Sequence, residues 1–438
     1  MSKIFCAALY WIKSFCRSTS GNVAMIFGLA LIPVLGMVGA GVDYSRAANL
    51  RARLQAAADA SAVGAIAKTS AAYTAAQSMT TDGSIASGVT AATNIFNGDI
   101  SGKTGFSVTA FNADVQRTGQ QVTATITFTA TLPTYFMQLL GTTTMTVGGT
   151  AAAANDLPTY IDFYLLLDNT PSMGIGATQA DIDTMVSNTP DQCAFACHDL
   201  NNSNNYYNLA KNLGVTMRID TVRTATQQLM TMAQSSQTMP NQYRMAIYTF
   251  GTSASTAGLY QVQSLTSNLT TAAQSAGSID IMTVQGQNQN NDQDTNFDSI
   301  FPAISTNIAN PGNGLSSANP QKVLFFVSDG VADEANSTNC SQPSPNGTRC
   351  QEPINTSLCT TIKNRGIMIV VLYTEYYALP TNNWYNTWIA PFRSQIETNM
   401  QACASSAKLY QKVKPSDSIS QTMNTLFANA VKQARLTQ

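Results

Sequence analysis

One stretch constrains this chain before any other. Between Arg17 and Asp43 no residue carries a charge, and VAMIFGLALIPVLGMVGAGV, Val23 to Val42, is almost wholly apolar. As a helix it rises about 30 Å, the thickness of a bilayer's hydrocarbon core. Pro33 and the glycines are tolerated in membrane helices, where neighbouring groups re-satisfy the backbone. A cleaved signal peptide is the competing reading, with Val38 and Ala40 at the small-residue cleavage positions. The long leader and the helix-forming sequence beyond Asp43 predict an uncleaved anchor instead. Lys3, Lys13 and Arg17 on one side face Arg46, Arg51 and Arg53 on the other, so charge bias does not orient the segment.

Cysteine placement does. Cys6 and Cys16 precede the apolar run, whereas Cys193, Cys197, Cys340, Cys350, Cys359 and Cys403 follow it, an even number consistent with three disulfides. Disulfides need an oxidising compartment, which puts the N-terminus in the cytoplasm and the bulk of the chain outside. Sequence does not dictate the pairing; the expectation adopted here joins Cys193 to Cys197, Cys340 to Cys350 and Cys359 to Cys403. Charged residues make up 11% of the chain, against roughly a quarter in a typical soluble domain. Uncharged polar stretches such as NNSNNYYN and QGQNQNNDQDTN must cover the surface instead. The net charge of -1 leaves no electrostatic footprint for nucleic acid.

Past the anchor, YSRAANLRARLQAAADASAVGAIAK reads as helix, with Leu50, Leu54, Ala57, Ala58 and Ala62 near one stripe that Ser61 can share. From about residue 105 the period changes to two. In QVTATITFTATL apolar residues alternate with threonines, as in a half-buried strand, and FSVTAF and TTMTVGGTA read as its partners. From about residue 159 short apolar runs appear: YIDFYLLL (160–167), YRMAIYTF (243–250), KVLFFVS (322–328) and IMIVVLY (367–373). Continuous runs mark strands covered on both faces. Helical stretches between them predict an α/β fold with a doubly wound, mostly parallel sheet. The expected organisation is a leader and transmembrane anchor over 1–43, a stalk helix with a small β-rich region over 44–158, and the α/β domain over 159–438.

Ligands in such sheets bind at the carboxyl ends of strands. The first α/β strand ends in FYLLLDNTPSMG, which sets Asp168, Thr170 and Ser172 at two-residue steps, and KVLFFVSDG ends at Asp329. Thr295 stands just before a helix in NDQDTNFDSIF. Carboxylates and hydroxyls suit a hard cation such as Mg²⁺ or Mn²⁺, which keeps several waters. An ordinary strand-end Asp with hydroxyls capping a turn is the bland alternative.

On these residues the chain resembles the von Willebrand factor A domain over roughly residues 159 to 435. The metal-ion-dependent adhesion site of that family has an Asp-x-Ser-x-Ser loop, a distant Thr and a distant Asp. Asp168, Thr170 and Ser172 match the loop, Asp329 matches the distant aspartate, and Thr295 stands for the threonine without the usual preceding glycines. The resemblance implies that Thr170 and Ser172 contact the metal directly, that Asp168 and Asp329 act largely through water, and that a partner's acidic group completes the shell. A departure is the insertion at about 174–212, which carries CAFACH with His198, the chain's single histidine. A covalent haem site could be drawn on that stretch, but a local disulfide is the expected reading. No Gly-x-Ser-x-Gly elbow and no Gly-x-x-x-x-Gly-Lys loop occurs, so no enzyme is expected.

The segment GNVAMIFGLALIPVLGMVGAGVDYSRAANLRARLQAAADASAVGA looks like the start of TadG-like proteins of the tight-adherence (Flp) pilus-assembly systems of bacteria. Gly21 is followed by NVAMIF with no glutamate, so prepilin-type processing is not expected. The resemblance implies a single-pass inner-membrane protein with a periplasmic C-terminal domain, binding pilus or envelope proteins through the metal. A metal-independent structural scaffold is the alternative.

Overall fold

A computed structural model describes residues 21–79, 81–286, 289–335, 340–415 and 417–434. The leader before Gly21, with Cys6 and Cys16, lies outside them. The chain divides into two compact units, Met1–Leu157 and Pro158–Gln438.

The first unit contains helices α1 (Gly21–Ala65), α2 (Ala71–Ser78) and α3 (Ala86–Ile100) and strands β1 (Gly83–Ser84), β2 (Ser107–Thr118), β3 (Gln121–Pro133) and β4 (Thr144–Asp156). The strands form one antiparallel sheet in the order β1-β2-β3-β4. The predicted alternation holds: Val122, Ala124, Ile126, Phe128, Ala130 and Leu132 are buried. They pack under the second half of α1, where Leu50, Leu54, Ala57, Ala58 and Ala62 form the expected stripe. Ser61 shares it at no polar cost, because its hydroxyl donates to the Ala57 carbonyl at 2.7 Å. The first half of α1 is different. From Val23 to Val42 its large apolar side chains are largely exposed, and the helix is long and apolar enough to cross a membrane.

The second unit is α/β. In chain order it runs β5 (Ile161–Leu167), α4 (Gln179–Asn188), β6 (His198–Asp199), α5 (Tyr206–Asn212), α6 (Arg218–Ser236), β7 (Tyr243–Thr249), β8 (Tyr260–Thr266), α7 (Leu269–Ala276), β9 (Thr283–Val284) and α8 (Phe297–Asn307). It continues with β10 (Gln321–Ser328), β11 (Val331–Ala335), β12 (Arg349–Pro353), α9 (Thr356–Asn364), β13 (Met368–Thr374), α10 (Arg393–Cys403), β14 (Tyr410–Val413) and α11 (Ile419–Ala434).

Six strands form the central sheet in the order β14-β13-β10-β5-β7-β8. The β7–β8 pair is antiparallel and the other pairs are parallel. Successive side chains feed opposite faces, as strand geometry requires. Phe163, Leu165 and Leu167 join α6, α7 and α11 in one core, while Tyr164 and Leu166 join α8, α9 and α10 in the other. Asp162 is the polar exception within β5. It is 1% exposed and is held by Arg244 at 2.7 Å on β7 and Lys322 at 2.6 Å on β10, the residues directly opposite it in register. A slip of either strand by one residue would strand that charge in the core, so the triad pins the register.

Disulfides join Cys340 to Cys350 and Cys359 to Cys403. The expected Cys193–Cys197 bridge is absent and both residues are thiols. The Cys193 thiol is engaged in its own turn: it accepts the Phe195 N–H at 3.4 Å and donates to the Phe195 carbonyl at 3.6 Å.

Candidate metal centre

Chain order places β5 at the centre of the sheet. The connections from β5 run first to β7 on one side and later to β10 on the other, so the strand order reverses between β5 and β10. A crevice opens at such a reversal outside the carboxyl ends of the strands. Asp168 and Asp329 follow those two ends directly, and the Asp168 N–H still bonds the Val327 carbonyl of the neighbouring strand at 2.9 Å.

Asp168 is fully buried. Its Oδ1 accepts the Thr170 N–H at 3.0 Å and the Thr170 hydroxyl at 2.7 Å, and its Oδ2 accepts the Ser328 hydroxyl at 2.6 Å. Thr170 then caps the short 3₁₀ turn Pro171–Gly174, with Pro171 supplying the fixed φ such a start favours. The turn brings the Ser172 hydroxyl within 3.3 Å of that of Thr170. The two-residue spacing thus delivers one carboxylate and two hydroxyls to one point.

Asp329 is also fully buried. Its Oδ1 accepts the Val331 N–H at 3.3 Å, and its Oδ2 has no hydrogen-bond partner. The glycine of the SDG sequence is required there: Gly330 has φ +74°, and a Cβ on it would run into Met400. Burial, and then the neighbouring Asp168 carboxylate, raise the Asp329 pKa against the pull of Arg218 and the Ser172 hydroxyl. Burial also raises Asp168, opposed by its hydrogen bonds from Ser328 and Thr170. Two carboxylates so placed are costly to ionise unless a cation joins them.

One cation of the chain's own is close by. Arg218, at the start of α6, points Nη1 to 3.9 Å from Asp329 Oδ2 and donates through Nη2 to the Glu375 carbonyl at 3.0 Å. Thr295 arrives from a different direction. Its N–H bonds the Asp333 carbonyl at 3.0 Å, and the Asp333 N–H returns a bond to the Thr295 carbonyl at 2.9 Å. Thr295 and Ser172 line one cleft of about 400 Å³. Its walls also carry Asp191, Asp199, Asp292, Asp294 and Asp333, with Arg349 as the basic counterpart. Arg349 is committed to Asp333, which it grips through Nε at 2.6 Å and through Nη2.

The structure therefore brings Asp168, Thr170, Ser172 and Asp329 together and sets Thr295 in the wall of the cleft that Ser172 opens onto. The donor set, two carboxylates and hydroxyls around an Asp329 oxygen that accepts no hydrogen bond, fits a hard divalent cation. Sequence reasoning missed Arg218 and Ser328. Ser328 stood in view within VSDG; nothing in the sequence tied Arg218 to Asp329, more than a hundred residues away. Cys193 and Cys197 line the same cleft, where burial pushes the Cys197 thiol up to about 12. His198 stacks on Tyr207 with ring centroids 4.0 Å apart.

Residues 21–78 match the protein-family model described as "Putative Flp pilus-assembly TadE/G-like". No curated protein sequence matches this chain. Among solved structures it is similar to proximal thread matrix protein 1 from the mussel byssus, at 10% identity over 63% of this chain and 49% of that one, with a TM-score of 0.34. The same mussel protein with a zinc-occupied MIDAS motif aligns at 13% identity over 64% of this chain and 46% of that one, TM-score 0.34. The vWF domain of the type V pili tip protein Mfa5 from Porphyromonas gingivalis aligns at 9% identity over 64% and 96%, TM-score 0.36. The chain spans about half the length of the mussel protein it matches.

Proposed function

We propose that this chain is a membrane-anchored protein-binding component of bacterial Flp (tight-adherence) pilus assembly, and that its α/β unit grips a partner through a divalent cation, Mg²⁺ or Mn²⁺. The match of residues 21–78 supports the pilus-assembly context. The observation that carries the metal reading is the pair of buried carboxylates at adjacent strand ends, one with an oxygen that accepts no hydrogen bond.

Thr170 and Ser172 would offer their hydroxyls to the cation, with Asp168, Asp329 and Thr295 completing the set. A bound cation would supply a positive centre that an acidic residue of the partner can complete. Asp168 meanwhile orients Thr170 through the 2.7 Å hydrogen bond, and Ser328 holds the other Asp168 oxygen. The surrounding cleft is acidic, with five aspartates against Arg349. A partner surface carrying one carboxylate among basic or amide groups suits it better than a uniformly acidic one. We read the site as binding rather than catalytic, and the anchor as placing residues 1–43 at the inner membrane with residues 44–438 in the periplasm.

The test is calorimetric titration of Mg²⁺ and Mn²⁺ into the full chain in detergent, beside Asp168→Ala. Saturable binding that disappears in the variant is the expected result. Failure of the wild type to bind would leave the second reading, a metal-independent scaffold. That reading has its own support in Arg218, which already stands beside Asp329 as a built-in positive charge.

A further inference from the structure

The hairpin tip between β3 and β4, residues 134–143, contains no charged residue. It exposes large apolar side chains: Tyr135 is 60% exposed, Phe136 46%, Leu139 82% and Leu140 65%. A cluster of this kind marks an interaction surface rather than scattered surface residues.

Its seat on α1 indicates the partner. Asp43, 1% exposed, accepts the backbone N–H groups of Tyr135, Phe136 and Met137, each at 2.9 Å. Its carboxylate thereby satisfies the free amides at the start of the 3₁₀ turn Met137–Leu140. Arg46 donates to the Pro133 carbonyl at 3.2 Å and lies over the Tyr135 ring, 3.6 Å from its centroid. A turn earlier on the helix, the Phe136 side chain fills the space where a Cβ on Gly39 would be, and Leu140 reaches Gly36. The tip lies alongside helix residues 36–46.

The depth of those residues follows from helix geometry. From Val23 to Val42 the helix rises about 30 Å, the thickness of a hydrocarbon core. Its last apolar turn therefore falls at the boundary between acyl chains and headgroups, the level at which tyrosine and tryptophan gather, and Gly36 lies about 9 Å deeper. Tyr135 and Phe136 sit there beside leucines, with Arg46 and Asp43 on the water side.

We propose that this tip is a second membrane contact: Tyr135, Phe136, Leu139 and Leu140 enter the phospholipid bilayer beside the anchor helix, and Asp43 is the clamp that holds them at that depth. The inference rests on reading Val23–Val42 as a membrane anchor. A single helix can tilt and turn in the bilayer and carry the attached sheet with it; a wedge beside it fixes the sheet's orientation to the membrane.

The test is site-specific photocrosslinking of the full chain in vesicles of phosphatidylcholine and phosphatidylglycerol. Benzoylphenylalanine replaces Ile32 in the helix, Leu139 in the tip, or Thr125, roughly 26 Å along β3 from Pro133. Lipid adducts at positions 32 and 139 with none at 125 are expected. An adduct at 32 with none at 139, or a crosslink from 139 to a second copy, would overturn the inference and leave the anchor reading standing. No lipid adduct at either would overturn both. Asp43→Asn is expected to cut the adduct at 139 several-fold while leaving that at 32; an unchanged yield at 139 would remove Asp43 from the clamp.

Discussion

Arg218 Nη1 stands 3.9 Å from Asp329 Oδ2, and both side chains are buried. The arginine is thus the resident counter-charge of the carboxylate that a divalent cation would also seek. A divalent cation bound at the proposed site would compete with Arg218 for that one oxygen, so substitutions at Arg218 are expected to act with opposite sign on fold and on binding.

Arg218→Gln is expected to lower the stability of the metal-free protein by about 3 kcal/mol, because it leaves a buried carboxylate without its partner. The same change should strengthen Mn²⁺ binding several-fold by removing a repelling charge. Chemical denaturation in chelator and calorimetric titration measure the two effects. Weaker Mn²⁺ binding in a folded variant would show that Arg218 supports the site rather than opposing it.

Thr170 separates hydroxyl chemistry from packing. Thr170→Val keeps its volume but loses the hydrogen bond to Asp168, at a cost of about 1–2 kcal/mol, and should abolish Mg²⁺ binding. Thr170→Ser should retain it. Equal titration curves for the two variants would exclude this hydroxyl as a ligand.

Buried acids away from the centre predict a pH dependence. Glu334 is raised from 4.5 to about 7 by burial and by Asp298, and one of its oxygens has no partner. Between those values the folded chain holds a proton that the unfolded chain has released, so stability falls as pH rises through the window. The loss amounts to about 3 kcal/mol from this residue, at about 1.4 kcal/mol per pH unit. Urea midpoints in chelator should therefore drop from about pH 5 to about pH 7.5, and Glu334→Gln should flatten the slope. A wild-type midpoint independent of pH would contradict the assignment.

The cysteines predict a labelling pattern. In denaturant without reductant, Cys193 and Cys197 should take iodoacetamide while Cys340, Cys350, Cys359 and Cys403 stay protected, as read by peptide mass spectrometry. Replacing Cys359 and Cys403 by serine opens the longer loop, with a sequence separation of 44. The expected cost is about 3–4 kcal/mol, from the entropy of the unfolded chain.

Much of this architecture was legible one residue at a time. Strands β5, β7, β10 and β13 lie where continuous apolar runs predicted them, because strands buried on both faces need apolar side chains at nearly every position. The β3 alternation was equally plain, since one of its faces packs under α1. The edge strands β8 and β14 carry mixed, partly exposed residues and give no such signal. The Cys193–Cys197 expectation failed because short spacing says nothing of side-chain direction, and the Cys193 thiol turns into its own backbone.

The sequence by itself determined the membrane-length helix, the four buried strands β5, β7, β10 and β13, and the Asp168–Thr170–Ser172 loop, since each depends on neighbours within a few residues. Only tertiary structure decided that Asp329 meets this loop, that Arg218 reaches Asp329, and that Asp43 holds the tip at Tyr135–Met137. These relations join residues brought together by strand order and helix docking. The energy that fixes them is burial of charge and apolar surface, which belongs to the assembled core and not to any segment of the chain.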